Sequence, residues 1–236
     1  MKLVVTRPEA DAPGLAAALR ARGHEVVLAP LLAIVPRRDL KLAHSRYQAV
    51  AVTSANGPRS FPDDLVAQIG RATPVLAVGA QSAAAARGLG FTTVVAEGGD
   101  VHGLAAAISS QLSPAAGPIL YVSGAETSGD LEGQLTRAGF SVERLVTYDA
   151  VAQKLDKARA AILAADGVLL YSPRSAKLWV AELQHLGLGA ALARLRHFCL
   201  SAQVAAALPA NTHISIAEKP AEQAMLALLD LAGKAE

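Results

Sequence analysis

The sequence predicts an α/β protein with parallel sheets, arranged as two similar domains. Short aliphatic and β-branched runs recur along the chain, and segments with helical apolar spacing, about 10–15 residues long, separate most of them. Strands that alternate with helices form parallel sheets joined by right-handed crossovers. In addition, segments of the first half match segments of the second half, which predicts an internal duplication.

Ten strands are predicted in order along the chain. Aromatic residues make up only 4% of the sequence, so the core between these elements must consist of Ala, Val, Leu and Ile. Two helices end where glycine stands at a C-cap position: Gly23 closes "APGLAAALRARG" and Gly139 closes "DLEGQLTRAG". The predicted strands are Leu3–Thr6, Glu25–Leu28, Ala49–Thr53, Val75–Val78, Thr93–Ala96, Ile119–Val122, Val142–Leu145, Gly167–Tyr171, His197–Leu200 and His213–Ala217.

Three matched segments indicate the duplication. The segment from Leu15 to Val26 matches the segment from Leu131 to Val142 at an offset of 116 positions. The turn "TSANGPRS" matches "YSPRSAKL" at an offset of 118, and "VGAQSAAAA" matches "LSAQVAAAL" at 122. Any two alanine-rich βα units resemble each other, but offsets that keep their order and drift slowly favour duplication.

Six loops that follow predicted strands share one polar character. They are rich in Ser, Thr, Gly, Asn and Gln, and each precedes a helix whose first N–H groups lack intrahelical partners. Ligands bind at this edge of open α/β sheets, so two such edges facing each other predict a cleft between domains that binds carboxylates or phosphates. Each Ser or Thr is equally explained as a helix N-cap.

Several function classes are disfavoured. The net charge of +2 without a basic cluster argues against nucleic acid, and P-loop, GxGxxG and GxSxG patterns are missing. No apolar run approaches the roughly 20 residues that span a bilayer, and no signal peptide is expected. Cys199 is the single cysteine, which fits a reducing compartment, and we expect a buried, inert thiol in a cytoplasmic protein. The histidines lack metal-ligand spacing and are predicted to be surface or hydrogen-bonded structural residues: His24, His44, His102, His185, His197 and His213.

Two extended apolar segments, Ala29–Asp39 and Arg144–Lys154, interrupt the alternation of strands and helices. Both are expected to continue straight on from a strand. We interpret them as the places where the chain crosses between domains, paired as a two-stranded linker. Tyr148 would then lie at the hinge, either beside a ligand or simply as a packed aromatic residue.

From end to end, the chain resembles the uroporphyrinogen-III synthase family. The resemblance rests on "VVTRPEADAPGLAAALRARGHEVVLAPLLAIVP", "AVAVTSANG", "VLAVGAQSAAAARGLGF", "LYVSGAETSGDLEGQLTRAGFSVERLVTYDAV", "GVLLYSPRSAKLW" and "EKPAEQAMLALL", in this order. It implies two flavodoxin-like α/β domains joined by a two-stranded β linker. Residues 1–36 and 150–236 would form one domain, and residues 37–149 the inserted one.

The resemblance also implies a reaction. Linear hydroxymethylbilane is cyclised to uroporphyrinogen III, with loss of water and inversion of ring D through a spiro intermediate, in the biosynthesis of tetrapyrroles such as haem and sirohaem. Spontaneous closure gives the symmetric type I isomer, so selectivity is the task of the enzyme. No cofactor or metal is implied. The expected partners are the substrate and, transiently, the enzyme that makes it, and the expected state is a monomer.

Tyr148, in "VTYDAV", matches the tyrosine favoured in the family as general acid for the leaving hydroxyl. The eight carboxylates of the substrate would be held by backbone N–H and hydroxyl groups of the loops. By motif, the implied substrate-binding residues are Thr6, Arg7, Ser54, Asn56, Ser82, Ser123, Gly124, Ser172 and Arg174.

The chain departs from the family at three positions. Ser123 stands where an arginine is common, Ser201 where a glycine is common and Val204 where a threonine is common. Two other functions remain open at this point: a non-enzymatic two-domain hinge protein that binds another polyanionic small molecule, and a nucleotide-sugar transferase. The missing phosphate-binding glycines and the short chain count against the transferase.

Overall fold

A computed structural model describes residues 1–97 and 99–232 of the chain. Within these residues all ten predicted strands are present, and an eleventh lies in the extended segment 29–39. The strands are β1 (Lys2–Val5), β2 (Glu25–Leu28), β3 (Leu32–Pro36), β4 (Ala49–Val52), β5 (Val75–Val78), β6 (Val94–Glu97), β7 (Ile119–Gly124), β8 (Val142–Ala152), β9 (Gly167–Leu170), β10 (Arg196–Cys199) and β11 (His213–Ile216).

Helices follow most of the strands. They are α1 (Ala12–Arg20), α2 (Asn56–Arg59), α3 (Asp63–Ile69), α4 (Gly79–Gly88), α5 (Val101–Gln111), α6 (Leu131–Arg137), α7 (Arg159–Leu163), α8 (Pro173–His185), α9 (Ala190–Arg194), α10 (Ala202–Ala205) and α11 (Glu222–Ala232). Gly23 and Gly139, the predicted helix ends, have φ angles of 80° and 89°, a left-handed conformation that glycine adopts without strain.

The chain divides into two compact units. The first consists of Met1–Ala33 and Val151–Glu236, and the second of Ile34–Ala150. The two boundaries fall inside β3 and β8, which are neighbours in one sheet.

The first unit contains a sheet of five parallel strands in the order β11-β10-β9-β1-β2. Alternate residues of β1 face opposite sides: Leu3 and Val5 pack with residues of α1 and α11, whereas Val4 packs with residues of α8. Trp179 of α8 is fully buried. Helices therefore cover both faces, as burial of a parallel sheet requires.

The second unit contains the sheet β3-β8-β7-β4-β5-β6, in which the strands from β8 to β6 pair in parallel. The sequence of β4, Ala-Val-Ala-Val, shows how both faces are filled. Val50 and Val52 pack with residues of α3 and α4, while Ala49 and Ala51 pack with residues of α5 and α6. When β3 is left out, the order β8-β7-β4-β5-β6 corresponds strand for strand to the order β2-β1-β9-β10-β11 of the first sheet.

The extended segment predicted over Ala29–Asp39 is interrupted at Pro30. Proline has no N–H to donate to a ladder, and β2 ends at Leu28 while β3 begins at Leu32. The Leu31 N–H donates instead to the Thr6 carbonyl at 3.1 Å. The prediction that this segment runs straight on from β2 was therefore wrong, whereas β8 does continue unbroken to Ala152.

His197 is a buried structural histidine, as the sequence predicted, and one of its two ring nitrogens is hydrogen-bonded. It lies in β10 with no exposed surface, and its Nε2 accepts a hydrogen bond from the Trp179 indole N–H at 3.2 Å. Its Nδ1 is buried and has no partner in the part of the chain that the structure describes. Burial lowers the pKa of His197 to about 4, so the imidazole is neutral at pH 7.

Acid is therefore expected to destabilise the first unit through His197. The folded-state pKa lies below the unfolded value of about 6.5, so this contribution is complete above pH 6.5 and is lost as the pH falls towards 4. The free energy of unfolding should fall by up to about 3 kcal/mol from this group across that range. Urea titrations at pH 7, 5.5 and 4.5, followed by the fluorescence of Trp179, measure the loss directly because Trp179 is the single tryptophan.

The matched variant is His197→Gln, which keeps an acceptor for the indole but cannot titrate. It should show a shallower fall in stability over the same pH range. Equal slopes for the two proteins would assign the acid sensitivity to other groups.

Candidate functional site

The predicted site residues of the second unit lie at one edge of its sheet. Because its central strands are parallel, their carboxyl ends meet at that edge, where ligands bind in open α/β sheets. Ser54 follows β4, Ser123 and Gly124 end β7, and Tyr148 lies beside Gly124 on β8. The other two predicted residues begin or lie within helices at this edge: Asn56 in α2 and Ser82 in α4.

A β-bulge sets the position of Tyr148. Ser123 pairs with Val146, but Gly124 pairs with Tyr148, so Thr147 is the extra residue on β8. Thr147 is fully buried, and its hydroxyl donates to the Gly57 carbonyl at 3.2 Å. A bulge shifts the alternation of side chains along a strand, and such bulges often re-aim a side chain next to an active site.

Gly124 leaves room for the Tyr148 ring. A Cβ atom at position 124 would come within 2.6 Å of Tyr148 Cζ and 2.9 Å of its hydroxyl oxygen. The Tyr148 side chain is 7% exposed, and no described residue forms a hydrogen bond with its hydroxyl. The Tyr148 phenol is thus fixed at the carboxyl edge, and its hydroxyl donates no hydrogen bond to any of the residues that the structure describes.

Arg144 binds the end of β7. Its Nε donates to Ser123 Oγ at 3.0 Å, and its Nη2 donates to the carbonyls of Gly124 at 2.9 Å and Ala125 at 2.8 Å. Arg144 lies opposite Tyr121 in the parallel register, and the Tyr121 hydroxyl is 3.1 Å from the hydroxyl of Thr53. Burial raises the pKa of Tyr121.

Ser54 and Asn56 take part in local hydrogen bonds. Ser54 Oγ accepts a hydrogen bond from the Asn56 N–H at 3.3 Å, and Asn56 Oδ1 accepts one from Arg59 at 3.2 Å. Asn56 and Ser82 are buried. Ser54 is half-buried and remains the most accessible of the three.

In the first unit, Thr6 and Arg7 follow β1, the neighbour of β9. Thr6 is buried, and its hydroxyl donates to the Leu169 carbonyl at 2.8 Å, which commits that hydroxyl to the sheet. Arg7 forms an ion pair with Glu222 at 2.7 Å and lies 4.7 Å above the ring of Tyr171. Burial raises the pKa of Tyr171, an effect that the positive charge of Arg7 opposes.

Ser172 and Arg174 follow β9. Ser172 is the N-cap of α8, and its Oγ accepts a hydrogen bond from the Ser175 N–H at 3.0 Å. Arg174 lies in the first turn of the same helix and is half-buried. Ser201, one of the departures from the family pattern, caps α10 in the same way. Capping a helix is thus one role of Ser172 and Ser201. The first unit brings the four predicted residues to the ends of adjacent strands: Thr6, Arg7, Ser172 and Arg174.

Comparison with protein families gives the chain its assignment. A family model described as "Uroporphyrinogen-III synthase HemD" matches residues 14–227, which is most of the chain. The chain belongs to the uroporphyrinogen-III synthase family. The enzymatic function predicted from the sequence is therefore confirmed, and membership does not favour the non-enzymatic alternative.

Solved structures of uroporphyrinogen-III synthases share the fold. The enzyme of Helicobacter pylori is 16% identical to this chain, with 100% of this chain and 99% of that one covered and a TM-score of 0.65. A mutant of the Thermus thermophilus enzyme is 17% identical, with both chains covered completely and a TM-score of 0.55. At such identities the likeness establishes the α/β fold alone. A sequence search among curated proteins found no match.

Within residues 1–97 and 99–232, no group of three or more His, Cys, Asp or Glu side chains is placed to hold a metal ion. Over the same residues, no helix combines the length and hydrophobicity that crossing a bilayer requires. Cys199 is buried as predicted, and burial raises the pKa of its thiol to about 11, which keeps it protonated and unreactive.

Sequence reasoning missed the residues that hold Tyr148 in this synthase. Thr147 and Arg144 stand beside Tyr148 in the sequence, but only the register between β7 and β8 shows what they contact. The one available signal was Gly124, because a glycine inside an apolar strand often marks a bulge or a close approach.

Proposed function

We propose that this uroporphyrinogen-III synthase uses Tyr148 as the general acid that protonates the leaving hydroxyl of hydroxymethylbilane. Protonation and loss of water give an azafulvenium cation, and the substituted carbon of ring D attacks it to form a spiro intermediate. That intermediate fragments and recloses with ring D inverted. The proton given up at the start is regained when the last pyrrole carbon is deprotonated.

The contact between Tyr148 and Gly124 supports this role most strongly. The bulge and the bare backbone at Gly124 hold the ring at the carboxyl edge, and the buried hydroxyl of Thr147 ties the bulge to α2. A general acid must be held within hydrogen-bond reach of the atom that it protonates, and rigid placement of the Tyr148 ring supports such a role.

We also propose that the loops at the carboxyl edges hold the carboxylates of the substrate. Helix N-termini present N–H groups with partial positive charge, so they bind carboxylates without requiring a strongly basic surface. In the first unit, α8 presents such a terminus beside Arg174. The proposed contacts are those implied by motif: Arg7, Ser54, Asn56, Ser82, Ser123, Gly124, Ser172, Arg174 and the backbone at Thr6.

The domain organisation is proposed in the form that the family implies. Residues 1–36 and 150–236 form one domain and residues 37–149 the other, with β3 and β8 as the connecting strands. The shared strand order of the two sheets supports an origin by internal duplication, because β1, β2, β9, β10 and β11 correspond in order to β7, β8, β4, β5 and β6. We further propose a cytoplasmic monomer that contacts the preceding enzyme of its pathway transiently.

Isomer analysis of the product tests the function. Fresh hydroxymethylbilane is incubated with and without the protein, the products are oxidised, and the type I and type III porphyrins are separated by chromatography. We expect type III to dominate with the protein and type I without it. Type I at the spontaneous rate, from folded protein, would contradict the proposal.

A further inference from the structure

We infer that Arg144 binds a carboxylate of the substrate and so positions hydroxymethylbilane against Tyr148. This inference rests on the proposed function and adds to it a positively charged residue that motif comparison does not supply. It concerns the recognition of the substrate and assigns no proton transfer to Arg144.

The hydrogen bonds of Arg144 fix the guanidinium and leave one side of it open. A guanidinium has five N–H groups, and the bonds to Ser123 Oγ, the Gly124 carbonyl and the Ala125 carbonyl use those of Nε and Nη2. Nη1 has no hydrogen-bond partner among residues 1–97 and 99–232. It is not buried, because it retains solvent-accessible surface. Two N–H groups with a fixed direction therefore reach the surface of the unit.

The charge of Arg144 is not neutralised within the described part of the chain. All three of its acceptors are uncharged, and it forms no ion pair there. Other arginines near strand ends do have carboxylate partners: Arg7 binds Glu222, and Arg37 binds Asp149 at 2.8 Å. An arginine cannot lose its proton at any working pH, so a half-buried, unneutralised positive charge attracts an anion.

Arg144 and Tyr148 share one neighbour. Gly124 accepts a hydrogen bond from Arg144 and also lies against the Tyr148 ring. A carboxylate bound to Nη1 would therefore be held on the same strand end as the proposed general acid. A substrate that carries acetate and propionate groups on each pyrrole supplies such a carboxylate close to its reacting carbon atoms.

Steady-state kinetics of Arg144→Gln test the inference. We expect KM for hydroxymethylbilane to rise about 10-fold or more, as for loss of one charge-assisted hydrogen bond, while kcat falls less than KM rises. In the wild type, KM should rise as the salt concentration is raised from 20 to 500 mM, because salt screens the attraction between Arg144 and the carboxylate. In Arg144→Gln this rise should be smaller. A role confined to holding the bulge would change kcat and thermal stability but not this salt dependence.

Two further variants complete the test. Arg144→Lys keeps the charge and some of the donors, so it should fold, keep the salt dependence and recover part of the affinity. Arg87→Gln removes the same charge from α4, where Arg87 donates to the Val94 carbonyl, and should keep the wild-type KM. An unchanged KM and salt dependence in folded Arg144→Gln, or a folded Arg144→Lys without recovery, would overturn the inference while leaving the type III product intact. Type I product from the wild type would overturn both the inference and the proposed function.

Discussion

Replacing Tyr148 with phenylalanine is expected to lower the turnover number about 100-fold while KM stays within about twofold. A positioned general acid contributes roughly 10²–10⁴-fold, and a phenol, as a weak acid, belongs at the low end. The ring that packs against Gly124 is retained in the variant, so binding and folding are preserved. Initial rates of type III formation, corrected for spontaneous closure, measure the effect.

Tyr47→Phe is the matched control. Tyr47 precedes β4 and donates to Glu143 near the start of β8, at the edge of the sheet opposite Tyr148. The loss of this hydrogen bond should lower the free energy of unfolding by about 1 kcal/mol and leave kcat unchanged. A wild-type turnover number in Tyr148→Phe, or equal losses in the two variants, would contradict the role of Tyr148.

Gly124→Ala is expected to reduce turnover by about 10- to 100-fold, because the new methyl group displaces the proposed general acid. A Cβ atom 2.6 Å from Tyr148 Cζ forces the ring to move, and a side chain gives way more easily than the backbone of a central strand. The φ angle of Gly124 lies outside the left-handed region, so alanine adds no backbone strain there. Thermal stability should change little, and kinetics with hydroxymethylbilane measure the loss.

Gly88→Ala provides the control for this substitution. Gly88 lies at the end of α4 with no atom within 4 Å of an added Cβ, so alanine there should leave turnover unchanged. A double variant, Gly124→Ala with Tyr148→Phe, should lose much less than the product of the two single effects, because both act on one hydroxyl. Full additivity of the two losses would show that Gly124 does not act through Tyr148.

The fold could be predicted largely from the sequence because its local signals agree. In β4, Ala49 and Val50 lie on opposite faces of the sheet, and Gly139 ends a helix in a left-handed conformation. Both features depend on short segments of the chain, so the sequence alone predicts them. The break between β2 and β3 falls at Pro30, and the prediction of one continuous extended segment over Ala29–Asp39 did not take that proline into account. The two sheets share one strand order, whereas the internal duplication that the sequence offsets predict stays a proposal.

The candidate site was less predictable, because it depends on pairing between distant strands. The carboxyl-edge position of Ser54 and Tyr148 follows from parallel topology, but the bulge at Thr147 follows from the register of β7 on β8. Thr6 shows the opposite limitation. The family resemblance implies a substrate contact at Thr6, but its hydroxyl donates to the Leu169 carbonyl, so the proposed contact is assigned to the Thr6 backbone.

Competition between the protein and spontaneous closure tests the central claim most directly. The fraction of type III product is measured at a series of wild-type concentrations, with hydroxymethylbilane fixed and the spontaneous rate known from a sample without protein. The account predicts that this fraction rises from near zero to near one as the protein concentration increases, and that Tyr148→Phe needs about 100 times more protein for the same fraction. Type I product at every concentration of folded wild-type protein would contradict it.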